Sequence, residues 1–260
     1  PVLFWVKVRQ ASQKIHVGRY RIPKGRSAYW IVDDLMQGRT EKLRVVIPEG
    51  WASWQIAERL EASGICPAAP FLDLVKKKKL EGVLFPATYD FEAGLSPETV
   101  VSRLSGRFEQ IWTSAMDARA KEIGMTRNEV VTMASIVERE VRVRDEGPMI
   151  SAAYHNRLRR GMKLDADPTV QYALGHWKTR LTYADYRNTN SPYNTYLHPG
   201  LPPAPICSPG LESLNAALWP AKSDALFFVA QDDGRHSFSA TYREHVNKVN
   251  RRNRVRRQAR

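Results

Sequence analysis

Apolar residues at helical spacing mark residues 130–141 (VVTMASIVEREV) more clearly than any other stretch of the chain. At about 100° per residue, one broad face of this helix is apolar. That face contains Val130, Met133, Ala134, Ile136, Val137 and Val141. Glu140 falls inside the face, whereas Glu138 falls at its edge, roughly 160° round from Glu140. The pattern predicts a largely buried helix that carries one carboxylate on its apolar side.

Glu140 is therefore a candidate general acid. A carboxylate on the apolar side of a helix is costly to desolvate, so its proton affinity rises and it stays protonated near neutral pH. The alternative is that Glu140 ends the helix and pairs with Arg139, Arg142 or Arg144 in a solvated cluster. Taken by itself, the helix favours the solvated cluster, and the choice depends on the rest of the chain.

Upstream of this helix, the pattern predicts two short strand–turn–helix modules. The first has a strand from Gly18, a turn at residues 23–25, and a helix that Gly38 closes. The second has a strand at residues 43–47 and a helix from Ser53 to Gly64. Modules of this kind resemble LysM-type modules, which bind N-acetylated glycans, although a packing module without a ligand is an equally good interpretation.

The remaining pattern predicts further elements around the central helix. We expect a compact aromatic turn at 80–91, helices at 96–123, 149–160 and 212–218, a hairpin at 225–240, a last helix from Thr241 and a frayed basic tail. Residues 163–210 are rich in Asn, Thr, Tyr, Pro and Gly and are too long for an ordinary connector. Because the tyrosines are spaced along this segment, we expect a functional loop that lines a cleft and not a disordered segment.

Composition narrows the class of protein. The 260 residues are 43% hydrophobic, which is enough for a globular protein with a buried core. A net charge of +13 indicates an anionic partner, such as nucleic acid, a phospholipid surface or an acidic wall polymer. Cys66 and Cys207 are far apart and lack metal-ligand spacing, so they indicate neither a metal site nor a disulfide framework, and we expect buried thiols. No apolar run approaches the ~18 residues that span a bilayer, and the start at Pro1 leads us to expect an upstream segment.

A series of short motifs follows in order along most of the chain. The motifs are EGVLFPATY (81–89), ASIVERE (134–140), NRL (156–158), DPTVQY (167–172), SPYNTY (191–196), GLPP (200–203) and SPG (208–210). Together they resemble the MltG/YceG family of endolytic murein transglycosylases, from about Gly18 to His245. Two positions depart from the family pattern: Ala87 replaces an aspartate, and Asp165 replaces a glutamine.

The resemblance implies an α+β fold with a small LysM-like β/α subdomain and a mixed α+β catalytic domain. We expect the LysM-like part at 1–70, the catalytic domain at 71–250 with the catalytic glutamate on its central helix, and a basic tail at 251–260. The resemblance also implies a single N-terminal membrane helix outside this chain, with the catalytic domain on the extracytoplasmic side of the cytoplasmic membrane. Peptidoglycan glycan strands are the implied substrate and cell-wall synthases the implied partners, with no cofactor and no nucleic acid.

The implied reaction cleaves the bond between N-acetylmuramic acid and N-acetylglucosamine without water, and leaves a 1,6-anhydro ring. One glutamate acts first as acid and then as base, and the resemblance assigns this role to Glu140, which the helical face indicates independently. Glu138 is the second choice, as a supporting charge or hydrogen-bond partner. The candidates for substrate binding are Gln171, Tyr193, Asn194, Thr195, Tyr196 and Asp167. Each has an alternative as a turn-forming or core residue, and for Asp167, just before Pro168, that structural role is favoured.

Three other functions compete with this one. A non-catalytic wall-binding module would leave Glu140 in a salt bridge and bind glycan without releasing product. A hydrolase would pair Glu140 with Glu138 or Asp165 and yield reducing ends. Nucleic-acid binding is the weakest alternative, because the basic residues are dispersed and no recognised nucleic-acid motif accompanies them.

Overall fold

A computed structural model describes residues 1–16 and 19–258, with side chains as far as Val255. The fold is α+β, as predicted. Within the described residues the chain divides into two compact units, and neither unit is one continuous stretch. The first contains Pro1–Ile47, Trp54–Lys78 and Ala87–Arg103, and the second contains Pro48–Ser53, Lys79–Pro86 and Leu104–Arg260. The expected domain division at residue 70 stays a prediction.

The first unit is built on a two-stranded antiparallel sheet. Its elements are α1 (Val2–Val8), α2 (Ala28–Met36), β1 (Lys42–Val46), α3 (Ser53–Ala62), α4 (Ala68–Lys78) and β2 (Thr88–Glu92). Leu43 of β1 lies opposite Phe91 of β2. The second strand–turn–helix module is confirmed, because β1 leads into α3. The first module is wrong in its strand: residues 17 and 18 lie outside the described residues, and residues 19–23 are irregular.

The second unit is mainly helical. Its elements are α5 (Pro97–Ile111, which begins in the first unit), α6 (Ser114–Glu122), α7 (Arg127–Glu140), a 3₁₀ turn (Arg144–Glu146), α8 (Gly147–Arg159), α9 (Asp167–Ala173), α10 (Tyr183–Asn188), α11 (Leu211–Leu218), β3 (Phe227–Ala230), β4 (His236–Ser239) and α12 (Tyr242–Gln258). In the described part of the chain, no helix has the length and hydropathy needed to cross a bilayer.

The central helix α7 is the core of this second unit. A capping box of Thr126 and Glu129 begins the helix, because each side chain satisfies a backbone N–H that has no partner in the first turn. Every residue from 130 to 137 is buried. The helix packs against α8, α9 and α11, so its apolar face is covered almost to its C-terminal end.

Two helix predictions were wrong. The single helix expected at 96–123 is two helices, because the Thr113 side chain caps α6 by accepting a hydrogen bond from Met116 N. The tail expected to fray instead continues α12 to Gln258. Lys248 and Arg252 stabilise this helix by donating to the backbone carbonyls of Phe238 and Ala230 in the β3–β4 hairpin.

Candidate active site

Glu140 is the last residue of α7, and its side chain lines a pocket of about 390 Å³. The chain turns to extended backbone at Val141, so the carboxylate lies where the buried helix meets the open space. The other residues around the pocket are Tyr154 and Arg157 of α8, Leu164, Asp165, Asp167 and Tyr196 of the segment 163–210, which was expected as a loop but contains α9 and α10, Phe227 and Phe228 of β3, and Tyr242 and His245 of α12. The pocket therefore combines one helix end with four other parts of the second unit.

The surroundings of Glu140 favour its protonated form. Burial, together with the negative charge of Asp167, raises the pKa of Glu140 from 4.5 to about 7. The hydroxyl of Tyr154 donates to Glu140 Oε1 at 3.1 Å. This hydrogen bond and the positive charges of Arg142 and Arg139 lower the pKa of Glu140, but desolvation outweighs them. The carboxyl group is thus able both to give and to take a proton near neutral pH.

Asp167 begins α9 and is held by two tyrosines. The Tyr196 hydroxyl donates to Asp167 Oδ1 at 2.6 Å, and the Tyr186 hydroxyl donates to Oδ2 at 3.3 Å. The two tyrosine rings pack against each other with centroids 4.5 Å apart. Asp167 is thereby fixed in the pocket of Glu140 as a second carboxylate whose two oxygens both accept hydrogen bonds.

Arg157 connects three parts of the pocket wall by hydrogen bonds. Its Nε donates to the Leu226 carbonyl at 2.7 Å, and its Nη1 donates to the Leu164 carbonyl at 2.8 Å and to Asp165 Oδ2 at 3.0 Å. Asp165 has a φ of +48°, in the left-handed region that few side chains adopt. The ion pair with Arg157 gives this strained turn a fixed position beside the pocket.

Two residues of the SPYNTY segment, Asn194 and Thr195, hold the backbone next to the pocket. Asn194 is fully buried, and its Nδ2 donates to the carbonyls of Tyr186 and Thr189, both at 2.9 Å. Thr195 is also buried, and its Oγ1 accepts from Ala166 N at 3.0 Å. These two side chains hold the backbone that presents Tyr196 and Asp167, and neither lines the pocket.

Glu138, Gln171 and Tyr193 also lie outside this pocket. Glu138 Oε2 accepts from Gly210 N at 3.0 Å and faces a separate cavity of about 170 Å³. Gln171 Oε1 accepts from Lys178 N at 3.2 Å, and Tyr193 packs against Tyr172 with ring centroids 4.8 Å apart. Of the residues expected at the site, the structure brings together Glu140, Asp167 and Tyr196.

Comparison with known proteins places the chain in a family. A model of the YceG-like family matches residues 1–251. The chain belongs to the YceG-like family. A crystal structure of a YceG-like protein from Listeria monocytogenes matches with a TM-score of 0.70 at 32% identity, covering 95% of this chain and 88% of that one.

Curated relatives of this YceG-like chain carry a functional name. A protein of Bacillus subtilis named endolytic murein transglycosylase is 31% identical over 269 residues, which cover 93% of this chain and 74% of that protein. A Streptococcus pneumoniae protein of the same name is 26% identical over 288 residues, with 95% of this chain covered. The YceG-like chain spans about half (52%) of the length of the streptococcal relative.

Sequence reasoning missed several residues that line the pocket of this YceG-like chain. They are Tyr154, Arg157, Leu164, Phe227, Phe228, Tyr242 and His245. One local signal was available, because Tyr154 and Arg157 are three residues apart and so share a face of α8. The aromatic residues of β3 and α12 had no such signal, since a hairpin rich in aromatic residues is an ordinary packing element until its neighbours are known.

Proposed function

We propose that this YceG-like chain is an endolytic lytic transglycosylase. It cleaves the bond between N-acetylmuramic acid and N-acetylglucosamine within peptidoglycan strands and leaves 1,6-anhydro ends. The observation that carries the proposal is a carboxyl group, Glu140, that lines a pocket with its pKa raised to about 7. The names of the relatives from Bacillus subtilis and Streptococcus pneumoniae support the same reaction.

In the first step, protonated Glu140 donates its proton to the glycosidic oxygen. The bond from that oxygen to C1 of the muramic acid breaks, and positive charge develops at C1 and the ring oxygen. The raised pKa of Glu140 matters here, because a carboxyl group of ordinary acidity has already lost its proton at neutral pH. The ionised product, Glu140 carboxylate, accepts the hydrogen bond of Tyr154.

In the second step, the carboxylate of Glu140 takes the proton of the sugar's own C6 hydroxyl. The C6 oxygen forms a bond to C1, which closes the 1,6-anhydro ring and returns Glu140 to its protonated form. No water is consumed, and the nucleophile is already part of the substrate, so its effective concentration is high. The negative charge of Asp167 stabilises the positive charge that develops on the sugar ring.

The setting of this reaction follows from the same proposal. Murein lies outside the cytoplasmic membrane, so the second unit acts on the extracytoplasmic side. The net charge of +13 suits the carboxylates of the wall polymer and anionic lipid headgroups. An N-terminal membrane anchor, cell-wall synthases as partners and glycan binding by the LysM-like part belong to the proposal as well.

The test compares the products of peptidoglycan digestion by the wild type, Glu140→Gln and Glu138→Gln. Mass spectrometry distinguishes anhydro ends from hydrated reducing ends. We expect anhydro-ended fragments from the wild type and a loss of at least about a thousandfold in rate with Glu140→Gln. Glu138→Gln is the matched change on the same helix, and we expect it to keep most of the activity because Glu138 faces a different cavity.

Each other outcome excludes a part of the proposal. Equal anhydro product from wild type and Glu140→Gln would remove Glu140 from the mechanism. Hydrated ends would show a hydrolase, for which Asp165 and Asp167 are the carboxylates that share the pocket with Glu140. Glycan binding by the wild type with no product at all would indicate a wall-binding module.

A further inference from the structure

An exposed tyrosine lies at the pocket of Glu140. Tyr242 is the first residue of α12, and 68% of its surface is exposed although it lines the pocket. Its ring packs on one side of the pocket against Phe227, with centroids 5.8 Å apart. An aromatic ring that is both held in place and open to solvent beside a candidate catalytic carboxyl is suited to contact a ligand.

Phe227 and His245 extend this surface. Their rings are stacked with centroids 5.4 Å apart and an angle of 29° between their planes. Burial and the positive charges of Arg157, Arg252 and Lys248 lower the pKa of His245, which favours the neutral form of its ring. The three rings of Phe227, Tyr242 and His245, called the aromatic platform below, contact one another at the pocket.

Contacts of two arginines hold the backbone that carries the aromatic platform. The guanidinium of Arg157 lies 5.1 Å from the centre of the Phe227 ring, and it donates hydrogen bonds to the backbone carbonyls of Leu226 and Leu164. Farther along α12, Arg252 donates to the Ala230 carbonyl at the end of β3. Because β3 and α12 are joined in this way, the backbone that carries the three rings needs little ordering when a ligand binds.

We propose that the exposed ring of Tyr242, backed by Phe227 and His245, stacks on one N-acetylhexosamine ring of the glycan strand bound in the pocket of Glu140. This inference rests on the proposed function, which supplies the substrate. A pyranose ring with equatorial substituents presents an apolar face of C–H groups, and such a face packs on aromatic rings. The aromatic platform therefore contributes to binding and positioning of the strand, while Glu140 performs proton transfer.

The test separates binding from chemistry with changes at one exposed position. Tyr242→Ala removes the ring, and Tyr242→Phe keeps the ring but removes the hydroxyl. Tyr183→Ala is the matched control, because Tyr183 is also the first residue of a helix and is also 68% exposed, but lies outside the pocket. KM and kcat are measured on uncrosslinked peptidoglycan strands, and binding of the same strands is measured by calorimetry in the Glu140→Gln background.

We expect Tyr242→Ala to raise KM and the dissociation constant by about fivefold. We expect kcat at saturation to change by less than about twofold. Tyr242→Phe and Tyr183→Ala should have the KM and kcat of the wild type and, in the Glu140→Gln background, the dissociation constant of Glu140→Gln. Unchanged KM and affinity in Tyr242→Ala would overturn the platform. So would an equal loss in Tyr242→Phe, because the contact would then belong to the hydroxyl group.

The calorimetry also distinguishes this inference from the proposed function. If the wild type yields no anhydro product but Glu140→Gln binds glycan with an affinity that depends on the Tyr242 ring, the platform stands and the transglycosylase reaction fails. If the wild type yields anhydro product and Tyr242→Ala binds like its parent, the reaction stands and the platform fails.

Discussion

Glu140 differs from the other glutamates of its helix through its neighbours. Glu138 and Glu140 belong to the same helix end, yet Glu138 accepts a backbone hydrogen bond from Gly210, whereas Glu140 faces a pocket with a second carboxylate. The arginines next to Glu140 in sequence lower its pKa less than burial and Asp167 raise it. The solvated cluster that the helix alone favours is thus not the environment of this residue.

Asp167→Asn tests the electrostatic part of this environment. Removing the negative charge of Asp167 lowers the pKa of Glu140, so the fraction of protonated acid at neutral pH falls. We expect the alkaline limb of the kcat/KM profile, which lies near pH 7 in the wild type, to move to lower pH. Activity at about pH 7.5 should fall severalfold, with a smaller loss at about pH 6.

The control for this measurement is Asp165→Asn. Asp165 also lines the pocket, but its carboxylate is paired with Arg157 and is not among the charges that shift the pKa of Glu140. The alkaline limb of the kcat/KM profile of Asp165→Asn should therefore lie at the same pH as in the wild type. An unmoved limb in Asp167→Asn would show that desolvation alone raises the pKa of Glu140.

At the scale of elements, the turn at residues 81–89 shows how a motif can matter without entering the pocket. The carboxylate of half-buried Glu81 accepts from the Ser53 hydroxyl at 2.6 Å and from the Tyr172 hydroxyl at 3.2 Å. Gly82, with a φ of +85°, lies against Pro205 and Val131. The turn therefore contacts both α7, through Val131, and the segment that contains Pro205.

Gly82→Ala should destabilise the protein strongly. An added Cβ would overlap the Pro205 ring and contact Val131, in addition to the strain of a positive φ. Gly94→Ala is the matched control, since Gly94 has a φ of +69° and nothing within 4 Å of an added Cβ. We expect a loss of about 1 kcal/mol for Gly94→Ala in urea unfolding and at least about 2 kcal/mol more for Gly82→Ala. Equal losses would mean that Pro205 moves away freely.

At the scale of the whole molecule, each compact unit takes in distant parts of the sequence. The unit that carries Glu140 includes residues 48–53. Gly50 N donates to the Ser208 carbonyl at 2.9 Å, and Ser208 N donates to the Trp51 carbonyl at 2.8 Å. The same short segment supplies Ser53, the partner of half-buried Glu81.

Truncation tests how much this segment contributes. A chain that begins at residue 71 follows the domain division expected from the sequence but lacks residues 48–53 together with β1 and α3. The carboxylate of Glu81 then loses the hydrogen bonds of Ser53, and β2 loses its partner strand. A chain that begins at residue 42 keeps them. We expect the shorter chain to unfold at a Tm lower by at least about 5 °C in differential scanning calorimetry. Equal Tm values would support an independent domain from residue 71.

The sequence by itself determined the α+β class, the central helix and the position of Glu140 on its apolar face. Helical periodicity and capping act over one or two turns, so they can be read locally. Only the tertiary structure decided which groups surround that carboxyl. Tyr154, Asp167, Phe227 and Tyr242 come from elements far apart in the chain, and their meeting depends on packing. The sequence identifies the SPYNTY segment as a candidate for substrate binding. It does not show that Tyr196 lines the pocket whereas Asn194 and Thr195 are buried behind it, because this also depends on packing.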